Sequence, residues 1–222
     1  MACYVGRMTT KLLSVWILTL MTYLAPPEKI AALPALPGWA ETADQRLERY
    51  RSIADDIAAV VLDDEEVPVV PGPRGRVVSA ALLVAVSYYE SLWSPDVDRG
   101  PCYRGREGGH RRCDGGASAS IFQIHVGTGR TAEGWTRADL FADRKRAVRV
   151  ALRLLRQSFG ACRSAGPDGR LNVYASGRCD AGQALGARRL RLMRRLLGAF
   201  PPPAVKPAPL DAGGLAHATA AP

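Results

Sequence analysis

Residues 77–89, VVSAALLVAVSYY, are a run of 13 residues without a charge, and the run ends on a glutamate, Glu90. Crossing a membrane takes about 20 apolar residues, so this run is too short to span one. It reads as a helix buried nearly all round, which needs other elements over every face. Pro95 disfavours helical backbone at Ser94, so the helix is expected to stop near 91–93. A carboxylate at its end must be solvated, paired, or kept because its proton does work.

The covering elements are legible on both sides. Residues 41–66 read as an amphipathic helix with Ile53, Ile57, Val60 and Val61 on one side and its acids on a solvated face. Residues 67–75 are a breaker-rich loop. Residues 94–119 are rich in glycine and arginine, without periodicity, and read as a long loop. Residues 138–159 give a second helical pattern, with Val148, Ala151, Leu152 and Leu155 apolar and arginines covering the other side. Residues 169–179 read as a loop or short turn, and 184–200 as a final basic helix. No strand pattern is convincing. The expected fold is a single, mostly helical domain over about 41–200, followed by a disordered Pro/Ala-rich tail over 201–222.

The first 40 residues read as an export segment. A short basic stretch with Arg7 and Lys11 precedes an apolar stretch of 14, LLSVWILTLMTYLA, and then prolines and small residues. Cleavage after Ala40 fits the small-x-small rule, and an uncleaved anchor is the alternative. Cys3 falls in this segment. Four of the five cysteines, Cys102, Cys113, Cys162 and Cys179, remain, an even number that suits an oxidising compartment. They allow three pairings, of which the local ones, Cys102–Cys113 and Cys162–Cys179, are favoured. Zinc is the alternative for Cys102, His110 and Cys113, but their spacing matches no common zinc pattern. The formal charge of +9 favours a polyanionic partner: nucleic acid, anionic lipid, or the acidic polymers of a cell wall.

Glu90 sits where a carboxyl group is pushed toward its protonated form. Apolar surroundings and the negative end of a helix both disfavour the carboxylate. A carboxylic acid protonated near neutrality can donate to a leaving oxygen, as glycosidic cleavage requires. The bland alternative is a carboxylate that caps backbone or pairs with an arginine.

Two later stretches bear on this. YYES, ending at Ser91, is followed by SIFQI at 120–124 and VYASG at 173–177. In this order the three motifs resemble those of the lysozyme-like lytic transglycosylase domain, and the resemblance covers about 77–197. It implies that Glu90 is the catalytic acid/base and that Ser91 helps to orient it. It also implies that Gln123 lines the glycan cleft and that the Tyr174 hydroxyl approaches Glu90. Ser120 stands where the family usually has glycine, and Ala175 where it usually has asparagine. The implied substrate is peptidoglycan, cleaved between N-acetylmuramic acid and N-acetylglucosamine with closure of a 1,6-anhydro ring. No metal or cofactor is implied, and the expected state is a monomer in the periplasm or outside the cell, membrane-bound only if the N-terminal segment stays uncut.

A hydrolytic, lysozyme-type outcome needs a second carboxylate to activate water, and Asp96, Asp98, Glu107 and Asp114 are the nearest in sequence. Trp93, Tyr88 and Tyr89 are candidates for stacking on sugars or for core packing; Phe122 is expected in the core. Arg104, Arg106, Arg111 and Arg112 cluster near the site, and Arg188, Arg189, Arg191, Arg194 and Arg195 on the last helix. Both clusters read as solvated faces or as attraction to wall carboxylates. A non-catalytic wall-binding module and a basic nucleic-acid-binding protein are the readings from other classes. The export signal, the cysteines and the lack of a recognition motif count against nucleic acid.

Overall fold

The computed structural model describes residues 8–31, 38–100, 106–107, 110–111 and 113–203. These residues are mostly helical, as expected. The tail beyond 203 lies outside them, as do Cys3, Cys102, Arg104 and Arg112 and the side chains of Arg106, Glu107, His110 and Arg111.

The charge-free run forms α4 (Gly75–Ser91), with Ala80, Ala81, Leu82, Leu83, Val84, Ala85 and Val86 fully buried. Four long helices cover it: α1 (Thr10–Leu24), α3 (Ala43–Leu62), α8 (Arg144–Ala161) and α11 (Gln183–Ala199). Between α1 and α3 lies the short α2 (Pro27–Ala31). Helix α3 starts at a capping box: the Thr42 hydroxyl accepts from the Gln45 amide, and the Gln45 side chain accepts from the Thr42 amide. Its buried stripe includes Tyr50, Ile53, Ala54, Ile57, Ala58 and Val61.

Helix α1 carries most of the apolar stretch of the expected export segment. In the folded chain it is a core helix packed on α3 and α4. Leu13, Ile17, Leu20 and Met21 have no exposed surface. Burying each contributes about 1.5–3 kcal/mol. The contacts are also specific: Ser14 donates to Asp55, and the Trp16 indole donates to the Phe200 carbonyl at 3.0 Å. No helix of the described residues is long and apolar enough to cross a membrane.

Three expectations need correction. The single helix expected over 138–159 is two, α7 (Arg137–Ala142) and α8, broken at Asp143. That residue has extended backbone (φ −139°), ends α7, and caps α8 by accepting from the Lys145 amide. The long loop over 94–119 is partly structured. Ser94 takes an extended, N-cap conformation and Pro95 opens the short helix α5 (Pro95–Arg99), a position where proline loses no hydrogen bond. Beyond it come the antiparallel pairs β1 (Arg106–Glu107) with β2 (His110–Arg111) and β3 (Ser118–Ala119) with β4 (Ile124–His125). Between the two pairs lies a left-handed turn, α6 (Cys113–Gly116). Strands, although only two residues long, are therefore present.

The third correction concerns the acids of α3 and the arginines of α8, which were expected to face solvent. Many are joined. Arg144 grips Asp98 with two bonds of 2.9 and 2.8 Å and also reaches Asp56. Arg49 grips Glu41 with bonds of 2.8 and 2.7 Å and lies 3.8 Å from Asp98. Arg149 pairs with Asp63 and Glu66, and Arg153 with Glu133. The buried Arg49, Asp98 and Glu41 side chains tie α5 to α3 and α8, which fixes the start of the segment after Glu90.

The chain continues through α9 (Gly166–Gly169) and α10 (Asn172–Ser176) to α11. The expected Cys162–Cys179 disulfide is present. Cys113 is also disulfide-bonded; the expected Cys102–Cys113 pairing involves Cys102, which lies outside the described residues.

Candidate active site

Glu90 stands in the last turn of α4, and the chain reverses immediately after it. Leu92 and Trp93 are both left-handed, at φ 48° and 50°. Trp93 holds this costly turn because its ring is a plug. It is fully buried, its indole donates to the Ser87 hydroxyl at 2.9 Å, and its ring lies 5.3 Å from Tyr50 and 5.6 Å from Tyr88. Trp93 is therefore a core residue, not a stacking platform. Ser91 helps to close the turn: its hydroxyl donates to the Ser87 carbonyl at 2.9 Å and accepts from the Trp93 amide at 3.1 Å. Those bonds go to backbone, so Ser91 acts on the helix end that carries Glu90.

The Glu90 side chain keeps 18% of its surface, and Arg189 of α11 reaches it: Nη2 donates to Oε1 at 2.6 Å. Arg189 itself is buried, donates from Nη1 to the Leu185 carbonyl at 2.9 Å, and lies 5.7 Å over the Tyr89 ring. Burial pushes the Glu90 carboxyl above its ordinary range. The Arg189 cation pulls the other way, and the negative charge of Asp114 adds to the rise. The net direction is upward, toward the protonated acid. Both sequence readings of Glu90 are thus present together: a raised acid, and a pair with an arginine.

SIFQI forms the tight end of the β3–β4 hairpin. Ser120 and Gln123 hold positive φ, 63° and 48°, and Ile121 and Phe122 point into the core without exposed surface. The Ser120 carbonyl accepts from both the amide and the side-chain nitrogen of Gln123, each at 3.0 Å. The Gln123 side chain also donates to Cys113 Sγ at 3.3 Å. The left-handed angle at Ser120 gives a physical reason for glycine at this position.

VYASG falls on α10. The Tyr174 hydroxyl donates to the Phe122 carbonyl at 2.7 Å, which joins the third motif to the second. Burial, and then the charge of Glu90, raise the Tyr174 phenol well above its ordinary range. It therefore stays a protonated donor, bonded to backbone and within electrostatic reach of Glu90. Helix α10 is fastened by Asn172, whose side chain donates to the Cys179 carbonyl at 2.8 Å. At Gly186 of α11 a Cβ would sit 2.7 Å from Asn172 Oδ1. The bare backbone lets α11 lie against α10, and Arg189 follows three residues later.

Of the four candidates for a second carboxylate, Asp96 and Asp98 are buried in α5, and Asp98 is gripped by Arg144. The Glu107 side chain lies outside the described residues. Asp114 is exposed, accepts from the Ser118 hydroxyl at 2.5 Å, and its charge reaches Glu90. The described residues contain no cluster of three or more metal-ligating side chains. A cavity of about 560 Å³ lies elsewhere, lined by Glu41, Gln45, Arg49, Ser52, Arg99 and Arg144 among others; its charged groups largely neutralise one another.

Sequence reasoning missed the role of Arg189, which it grouped with the other arginines of the last helix as a solvated face or an attraction to wall carboxylates. The signal was present. Counting from Gly186, residues 189, 190 and 193 fall at steps of three, four and seven, on one helical stripe. Arg189 is thus the charged member of the buried row that holds Leu190 and Met193.

No protein-family model matches the sequence, no curated protein is significantly similar to it, and no solved structure resembles it significantly.

Proposed function

We propose that this chain cleaves the β-1,4 bond between N-acetylmuramic acid and N-acetylglucosamine in peptidoglycan and leaves 1,6-anhydro-muramyl ends. The observation that carries this reading is the largely buried Glu90 carboxyl, raised toward its protonated form and within electrostatic reach of Tyr174, whose hydroxyl bonds to the second motif. Protonated Glu90 donates to the bridging oxygen, and N-acetylglucosamine leaves with that proton on its O4. The carboxylate then takes the proton of the muramyl 6-hydroxyl as O6 bonds to C1. No water enters, and one carboxyl group serves both steps. Gln123 and Tyr174 would border the bound glycan, with Ser91 and Ser120 shaping the backbone beside it.

Asp114 favours a second reading. A carboxylate within electrostatic reach of Glu90 can activate water for hydrolysis. The Cys162–Cys179 disulfide suits an oxidising compartment, which supports an exported protein acting on the wall. The same residues would then serve as export segment and, when uncut, as the core helix α1.

The test is a digest of purified peptidoglycan by the full chain and by Glu90→Gln, with soluble products read by mass spectrometry. Anhydro-muropeptides from the wild type, cut by about 10²–10⁴-fold or more in the variant, are the expected result. Products heavier by one water, lost in Asp114→Asn, would establish the hydrolase. No products from a folded protein that pellets with the wall would leave a binding module.

A further inference from the structure

We propose that Arg189 is the positioning residue of the acid: it occupies Oε1 of Glu90 and so confines the transferable proton to Oε2. The inference rests on the cleavage reading and deepens it. A guanidinium only donates hydrogen bonds. An oxygen that accepts from Arg189 at 2.6 Å therefore cannot also carry the acid proton toward that partner. Oε2 has no hydrogen-bond partner among the described residues, and the side chain keeps 18% of its surface. The proton therefore sits on the oxygen left for substrate.

The guanidinium is itself fixed. Nη1 is held by the Leu185 carbonyl at 2.9 Å, the plane lies over Tyr89, and close packing at Gly186 sets the helix. Its Nε is buried and makes no hydrogen bond. Arg46 Nε and Arg49 Nη1 are buried without a hydrogen-bond partner too, so the aim of Arg189 rests on its bond to Oε1. Once Glu90 has given up its proton, the same contact stabilises the carboxylate until the 6-hydroxyl proton returns. Among the described residues, the charged or titratable groups that act on Glu90 or lie beside it are Arg189 from α11, Asp114 from α6 and Tyr174 from α10, with Tyr89 of its own helix; Arg189 is the cation among these.

The experiment uses the full chain as wild type, Arg189→Met and Arg189→Lys. It records kcat and kcat/KM on purified peptidoglycan across pH, together with the ¹³C-NMR titration of Glu90, assigned with Glu90→Gln. In Arg189→Met the Glu90 titration is expected to move up by about 1–3 pH units, and the high-pH limb of kcat/KM should move with it. The maximal rate should fall about a hundred-fold as the carboxyl loses its fixed orientation. Arg189→Lys restores the charge without the planar fork. It should return most of the titration and only part of the rate. Wild-type titration and rate in Arg189→Met, with only a lower Tm, would assign Arg189 to packing and overturn the proposal. Should Arg189→Met fail to fold, wild-type rates at every pH in Arg189→Lys overturn it equally. If the wild type itself yields no product, the cleavage reading and the catalytic role of Arg189 fall together. The NMR titration still decides separately whether the guanidinium holds the carboxyl.

Discussion

Along α1, α3 and α4 the buried side chains are mostly aliphatic or aromatic, and no non-glycine residue of these helices has a positive φ. Between Leu92 and Gln123 the backbone differs. Leu92, Trp93, Cys113, Asp114, Ser120 and Gln123 are the non-glycine residues with positive φ among the described residues, and all fall in this one segment. Each left-handed residue of this kind costs about 1–2 kcal/mol. The helices therefore supply stability, and the segment around Glu90 uses some of it. Discrete fasteners hold the strained part in place: Trp93 plugged beside Tyr50, Asp98 on Arg144, the bonded Cys113, and Tyr174 on the Phe122 carbonyl. Strain collected beside one carboxyl is the pattern expected where geometry serves chemistry.

The largest way to break the contrast is to release a fastener. Asp98→Ala leaves Arg144 and the buried Arg49 without their shared carboxylate and should cost about 3–5 kcal/mol. Urea melts would read that loss, and cleavage should fall with it because the segment after Glu90 loosens. Ile17→Ala cuts into the relaxed half and should cost about 2–5 kcal/mol. Here the folded fraction should keep its activity. An unchanged melting curve for Ile17→Ala would show that α1 is not part of the solution fold. Removing the disulfide with Cys162→Ser should cost about 3 kcal/mol in the loop-closure view, readable in the same melts.

A smaller effect follows from pH. The folded Glu90 carboxyl lies above its unfolded value, so the folded state holds this proton more tightly. The stability from that proton is fully present below the ordinary carboxylate range and is lost as the pH rises through the folded value. Activity should fall over the same upper window, because the acid must be protonated. Glu90→Gln should flatten this part of the stability-against-pH curve. Smallest is Ser120→Gly. Relief of the left-handed backbone outweighs glycine's added chain entropy, for a gain of at most about 1 kcal/mol. A loss greater than that would mean the Ser120 hydroxyl contributes more than its 3.3 Å bond from the Phe122 amide suggests.

The same contrast explains what was legible in the sequence. The apolar stripes of α3 and α8 announce themselves by helical spacing, α4 by its run without a charge, and the end of α4 by Pro95. Glu90 stood out because it was charged where its neighbours were not. The strained backbone left no comparable mark, since serine, glutamine and leucine do not advertise positive φ as glycine does. The fate of α1 was equally hidden: an apolar stretch of 14 residues suits an export segment and a core helix alike. Asp143 looked like one more polar residue in a helix, yet its side chain competes for backbone amides and splits the helix in two. Arg189 was concealed by its company, four other arginines on the same helix.

One contact described above also governs the order in which the molecule can be made. Trp16 is bonded to the carbonyl of Phe200, 184 positions away, and Glu90 meets Arg189 across 99. A chain growing from a ribosome, or threading through a pore, cannot seal its core until its last described helix has emerged. Until then α1 and α4 wait with apolar faces uncovered, and the carboxyl of Glu90 waits without its cation. Assembly of the site thus waits for α11 to emerge, in a fold whose distant pairings make it slow to form.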